Sequence, residues 1–187
     1  MGRSVLVNTV LGGQLTHLMS ALHLSPGAIA KFDKRRRSFL WTGEGTASGA
    51  NCLIAWEKVR QDRTQGGLGI KDLSTQNSCL LLKLIHRLHQ TTASSWATWV
   101  RDRVSLASME GSIVVSHWDS LRMLLPIYQA ITTVVLGNGK TTSFWHDVWH
   151  EDDCLADRFP AFLSHCTASN QTVCSIKNHG IEMHLVS

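Results

Sequence analysis

The chain has 187 residues, 43% of them hydrophobic and 17% charged, and a formal net charge of +4. That length allows one domain or two small ones, and the composition belongs to a chain that buries a core rather than to a disordered one. No apolar run approaches the ~20 residues that cross a bilayer, and Val5 to Leu24 is broken by Asn8, Gln14, Thr16 and His17, unlike the centre of a signal peptide.

Leu6, Val7, Val10, Leu11, Leu15, Leu18, Met19 and Leu22 recur at helical spacing, which predicts an amphipathic helix over residues 4–23, with Gly12 and Gly13 as the place for a kink. Ser25-Pro26 is a helix start: the hydroxyl caps free amides, and proline needs no partner at the first position. The second helix then runs to about Leu40, with Ile29, Phe32 and Phe39 on its buried side. A Gly/Ser/Thr/Ala-rich loop, Thr42 to Asn51, follows.

Leu53 to Trp56 reads as an extended entry to a short helix ending near Gln61. After the turn at Gly66-Gly67-Leu68-Gly69, Asp72 or Ser74 caps a helix through His89, with Leu73, Leu80, Leu81, Leu84 and Leu88 on one face. Another helix is expected over Ser95 to Ser105, and one from Ser116 that Pro126 ends or bends. Thr132 to Leu136 and Thr141 to Trp145 are β-prone runs around Gly137-Asn138-Gly139-Lys140 and predict an antiparallel hairpin. Beyond Trp149 only short helical turns are expected, near Phe159 to Leu163.

Charge is unevenly placed. Residues 1–63 hold nine Lys/Arg against four Asp/Glu, whereas residues 140–187 hold three against six, so a polyanion is drawn to the front of the chain. Lys31, Lys34, Arg35, Arg36 and Arg37 place five cations in seven helical positions. Such a run is either a solvated face or a phosphate-binding one. Trp41 adjoins it and is the best candidate for stacking on a base. Trp56, Trp96, Trp99, Trp118, Trp145 and Trp149 sit among aliphatic residues and are expected in the core.

Other motifs carry less. Gly66-Gly67-Leu68-Gly69 lacks the Lys-Ser/Thr ending of a phosphate loop, and Gly137 to Thr142 lacks the earlier glycine, since Val134 holds that place. His146, His150, Cys154, His165, Cys166 and Cys174 show no ligand spacing typical of zinc, so neither metal nor other cofactor is expected. Five cysteines without regular spacing suit a reducing compartment, nuclear or cytoplasmic.

Phe39-Leu40-Trp41-Thr42-Gly43, then Trp56-Glu57-Lys58-Val59, then Gly66-Gly67-Leu68-Gly69-Ile70-Lys71-Asp72-Leu73 resemble the region just after the polymerase core in reverse transcriptases of plant LINE-type (non-LTR) retrotransposons. There an arginine-rich helix ends in FLW.G, W..V follows, and GGLGI.DL introduces a long apolar helix. Val135-Leu136-Gly137-Asn138-Gly139 through Phe144-Trp145-His146-Asp147-Val148-Trp149 resembles the same family's GNG…FW.D.W segment. The likeness runs from about Val5 to about Val186.

The resemblance implies residues 1–42 as a thumb-like helical segment with the basic helix, and residues 43–187 as a connecting domain ahead of a zinc-binding segment. The expected fold is mainly α: five or six helices, one small β-hairpin and an irregular carboxy-terminal tail. The implied role is to brace an RNA–DNA hybrid in the intact protein, through weak, salt-dependent contacts of Lys31, Lys34, Arg35, Arg36, Arg37 and Trp41. The palm motifs of the polymerase are missing, and Glu151-Asp152-Asp153 does not replace them, so the chain is expected not to be an enzyme. The alternative is a protein-interaction module or an inert remnant, self-associating through the apolar helix over residues 4–23.

Overall fold

The first helix solves a spacing problem. A computed structural model describes residues 2–45, 52–90, 94–113 and 115–181. In it α1 (Gly2–Leu6) runs through a π-helical turn (Val7–Leu11) into α2 (Gly12–Ala21). The Gly12 amide donates to the Val7 carbonyl, five residues back rather than four. The buried positions are Val7, Gly12, Leu15 and Met19, so the π turn absorbs one surplus residue between the first two and keeps all four facing inward.

Helix α3 (Pro26–Thr42) begins at the expected start and runs two residues past Leu40, through the first residue of the expected loop. Ser25 accepts the Ala28 amide, Pro26 takes the first turn, and Gly43 closes the helix at φ +82° with its amide on the Phe39 carbonyl at 2.9 Å. After α4 (Trp56–Arg60), Asp62 caps a single 3₁₀ turn at Arg63–Gln65. Gly67 is required by close approach, because a Cβ there would lie 1.9 Å from the Gln61 carbonyl oxygen. Asp72 then starts α5 (Leu73–His89) by accepting the Thr75 amide at 3.0 Å and its hydroxyl at 2.8 Å.

Two compact units result, Met1–Leu81 and Leu82–Ser187, with the division inside α5. In the first, Val7, Trp56, Val59 and Ile70 form one buried cluster, with Phe39, Leu40 and Trp41 packed against it. Leu15, Met19 and Leu73 form another, with Phe32 and Leu80 beside it. The core thus joins residues on both sides of position 42. Two asparagines tie its backbone together. Asn77, 1% exposed, donates to the Met19 and Leu22 carbonyls and accepts the Leu24 amide, all at 2.8 Å. Asn8 bonds the Gly69 carbonyl and the Lys71 amide.

In the second unit α6 (Ser95–Arg101) stops earlier than residue 105, because the chain turns at Asp102 into β1 (Val104–Ser105), antiparallel to β2 (Glu110–Gly111). Met109 sits between them at φ +55°, and its carbonyl accepts both the Trp118 indole N–H at 2.8 Å and an Arg122 N–H at 3.2 Å. Helix α7 (Ser116–Ala130) continues four residues past Pro126, so the proline does not end it. Short helices α8 (Leu155–Arg158), α9 (Pro160–Ser164) and α10 (Val173–His179) complete the unit.

The fold is therefore mainly helical with one small antiparallel sheet. Its hairpin is at 104–111, not at 132–145. The two β-prone runs do not pair with each other: Thr133 bridges Val148 in parallel, while Ser143 bridges Thr172. The Phe144 amide donates to Gln171 and the Val173 amide to Thr142, so the second run is held by the segment before α10. Trp96 and Trp99, expected in the core, are 44% and 48% exposed, whereas Trp56, Trp118 and Trp145 are buried. Helix α6 turns both outward, and the Arg103 guanidinium covers Trp99 at 4.4 Å from the ring centroid.

Candidate nucleic-acid interface

Helical phase divides the five cations of α3 into two groups. Lys31, Lys34 and Arg35 are exposed and lie three and four residues apart, so they share one face. None has a carboxylate within ion-pair distance among the described residues. They border a groove of about 450 Å³ lined also by Ala28 and Phe32. Arg36 points the other way and is 2% exposed. Its guanidinium donates to Asp33 at 2.8 Å and to the Lys71 carbonyl at 2.8 Å, and lies 5.9 Å from the Trp56 ring centroid.

Arg37 is half-buried and lies over the same ring at 5.5 Å, so two guanidiniums flank one tryptophan. Burial pulls the Arg36 pKa down, and the Asp33 charge and hydrogen bond oppose that pull. The Nε atoms of Arg36 and Arg37 and the indole nitrogens of Trp41 and Trp56 are buried without a hydrogen-bond partner. These contacts hold α3 against α4 and the Ile70-Lys71 segment. Trp41 belongs to this inner set, since its ring packs on the Val7–Trp56 cluster and its carbonyl accepts an Arg3 N–H at 2.9 Å. The outward face is thus three cations on a helix braced from behind.

Next to Arg36, Arg60 pairs with Asp72, the residue that caps α5. Burial pushes the Asp72 carboxyl up, but the Thr75 bonds and the Arg60 and Arg36 charges outweigh it and leave its pKa lowered. The sequence did not single out Asp33, Trp56, Lys71 or Asp72 for this arrangement. Aspartate three residues before Arg36 was the one local signal available.

The remaining motif residues fall elsewhere. Gly66 and Gly69 have positive φ and shape the turn before α5. Glu151 pairs with Arg158 at the surface. All five cysteines are free thiols. Among the described residues no three His, Cys, Asp or Glu side chains are grouped to hold a metal ion.

Comparison with known proteins gives one informative match. The chain is 27% identical over 156 residues to an Arabidopsis thaliana protein named "Putative ribonuclease H protein", covering 79% of this chain and 25% of that one. The chain spans about a quarter of the length of this relative. No protein-family model and no solved structure matches the chain. The likeness corrects the expectation that the chain is not an enzyme, because the relative carries the name of an enzyme. Missing palm motifs bear on polymerase chemistry alone, and a name attached to a much longer protein includes functions they do not address.

Proposed function

We propose that this chain is a nucleic-acid-associated segment of a retroelement-type protein, and that α3 lays Lys31, Lys34 and Arg35 against the backbone of an RNA–DNA hybrid. The observation that carries the reading is the unpaired cationic face of α3, fixed by the buried Arg36–Asp33 pair behind it. The likeness to the Arabidopsis relative supports the same class of ligand. The resemblance to LINE-type reverse transcriptases adds the hybrid as the specific substrate and a bracing role beside a polymerase core.

Contacts of this kind read charge and spacing rather than sequence, because phosphates are the same at every base pair. Fluorescence anisotropy with a labelled hybrid is expected to show weak binding, indifferent to sequence and weakened steeply by salt. Binding that is absent at low salt, or that persists undiminished at high salt, contradicts the proposal.

A second reading rests on a different face. Val5, Leu6, Val10, Leu18 and Leu22, from α1 through the π turn to the residue after α2, are each 45–50% exposed. This surface supports self-association or contact with a neighbouring protein segment. Sedimentation at increasing concentration is expected to show larger species that Val10→Glu with Leu18→Glu abolishes. A parent that stays monomeric over the whole range argues against it.

A further inference from the structure

Within the second unit, a cavity of about 330 Å³ opens beside the end of α5. His86, His89 and Tyr128 supply rings to its wall, with the His89 and Tyr128 centroids 5.0 Å apart and inclined by 31°. The loop from Thr133 to Thr142 forms the facing side. Its shape is locked: Gly139 has φ +67°, and a Cβ there would meet the Cys174 amide nitrogen at 3.0 Å. The Gly139 carbonyl accepts that amide. Gly137, by contrast, faces open space.

The polar groups are ordered. Gln90 Nε2 lies 2.9 Å from His86 Nε2. The other ring nitrogen of His86 lies 3.2 Å from the Tyr128 hydroxyl. Asp147, 5% exposed, accepts the Ser143 amide at 2.7 Å and the Gln129 amide at 3.0 Å. Burial holds the Asp147 carboxyl above its ordinary value and His89 below its own. The wall joins two imidazoles and a phenol to the loop and the Asp147 carboxyl.

Two cations of α5, Lys83 and Arg87, lie outside the lining but next to it in helical phase. Lys83, His86, Arg87 and Gln90 are three and four residues apart along α5 and all exposed. Lys83 and Arg87 therefore stand on the face that carries two of the lining residues. Neither pairs with a carboxylate among the described residues. A flat ring body against the aromatic wall and an anion beside the two cations is the outline of one nucleotide, and the volume lies at the small end of ligand cavities.

We infer that this cavity seats a single unpaired nucleotide, its base against His89 and Tyr128 and its phosphate on Lys83 and Arg87. The choice of a nucleotide rests on the nucleic-acid reading above, while the cavity and its rim lie in a different unit from α3 and are tested separately.

Calorimetric titration of the full chain with adenosine monophosphate, adenosine and ribose 5-phosphate tests it. The monophosphate is expected to bind most tightly. Lys83→Glu with Arg87→Glu, both exposed, is expected to weaken the monophosphate about tenfold and leave adenosine unchanged. Tyr128→Phe keeps the ring and is expected to weaken both about threefold or more. Should that variant fail to fold, the rim variant still decides. Ribose 5-phosphate binding as tightly as the monophosphate, equal loss of nucleoside and monophosphate in the rim variant, or no monophosphate binding in the millimolar range overturns the inference.

Competition separates the sources. A single-stranded oligonucleotide competing better than the monophosphate assigns the cavity to an unpaired residue of a strand, and equal competition assigns it to free nucleotide. A blunt, fully paired duplex competing better than the single strand overturns it. Loss of the α3 reading shows instead as failure of the parent to bind the hybrid, whatever the monophosphate does.

Discussion

Arg35 and Arg36 are neighbours in the chain with opposite surroundings. Arg35 is exposed, whereas Arg36 is 2% exposed, ion-paired to Asp33 and set near Trp56. Removing Arg36 strands a buried carboxylate and the Lys71 carbonyl, so Arg36→Ala is expected to cost about 3–5 kcal/mol in urea denaturation. Arg35→Ala is expected to stay within about 0.5 kcal/mol of the parent. Similar small losses in both variants would mean that the Asp33 pair does not fix α3. The cationic run was legible in the sequence, but its division was not. Helical periodicity gives relative angles; which angle faces inward depended on Trp56 and Lys71, twenty and thirty-five residues away in the chain. For the same reason nothing in the pattern of α5 marks Asn77, which ties three backbone groups across the first core.

At the scale of elements, local chemistry was the dependable guide. Ser25-Pro26 and the Asp72 cap act on groups within four residues and were readable from their own neighbourhood, whereas the Gly43 cap lies beyond the helix end expected near Leu40. The hairpin expected at 132–145 failed because strand propensity names no partner: Val148 and Thr172 outcompeted the mutual pairing. The π turn is a subtler case. Residues 4–23 read as one helix with a weak place at the glycines, and the irregularity lies just before Gly12. It makes a definite prediction. Deleting exposed Thr9 returns the turn to α geometry and leaves Val7, Gly12, Leu15 and Met19 at spacings of four, three and four. The melting temperature is expected to hold. Deleting exposed Gln14 instead turns Leu15 and Met19 about 100° away from Val7 and is expected to unfold the first unit. Circular dichroism melts of both deletions decide, and equal damage from the two would show that the π turn carries no surplus residue.

For the whole molecule, charge asymmetry and helical content were visible in composition and periodicity, because both are sums over many residues. The arrangement as two units dividing within α5 was not, since nothing in the Leu-rich pattern of that helix marks a boundary. The cavity near its end was equally hidden: His86, His89, Tyr128 and Asp147 come together only after α5, α7 and the segment after it are folded. What the whole molecule does with its basic front is the central question. It is answered most directly by the salt dependence of hybrid binding in two triple variants. One replaces Lys31, Lys34 and Arg35 by Gln; the other replaces Lys58, Arg63 and Lys177, which are exposed and remove the same charge. Each phosphate contact contributes about 0.9 to the slope of log affinity against log salt, so the first variant is expected to flatten the slope by up to about 3 and the second to leave it nearly unchanged. Equal flattening by both variants would reduce the attraction to net charge and contradict the assignment of α3 as the interface.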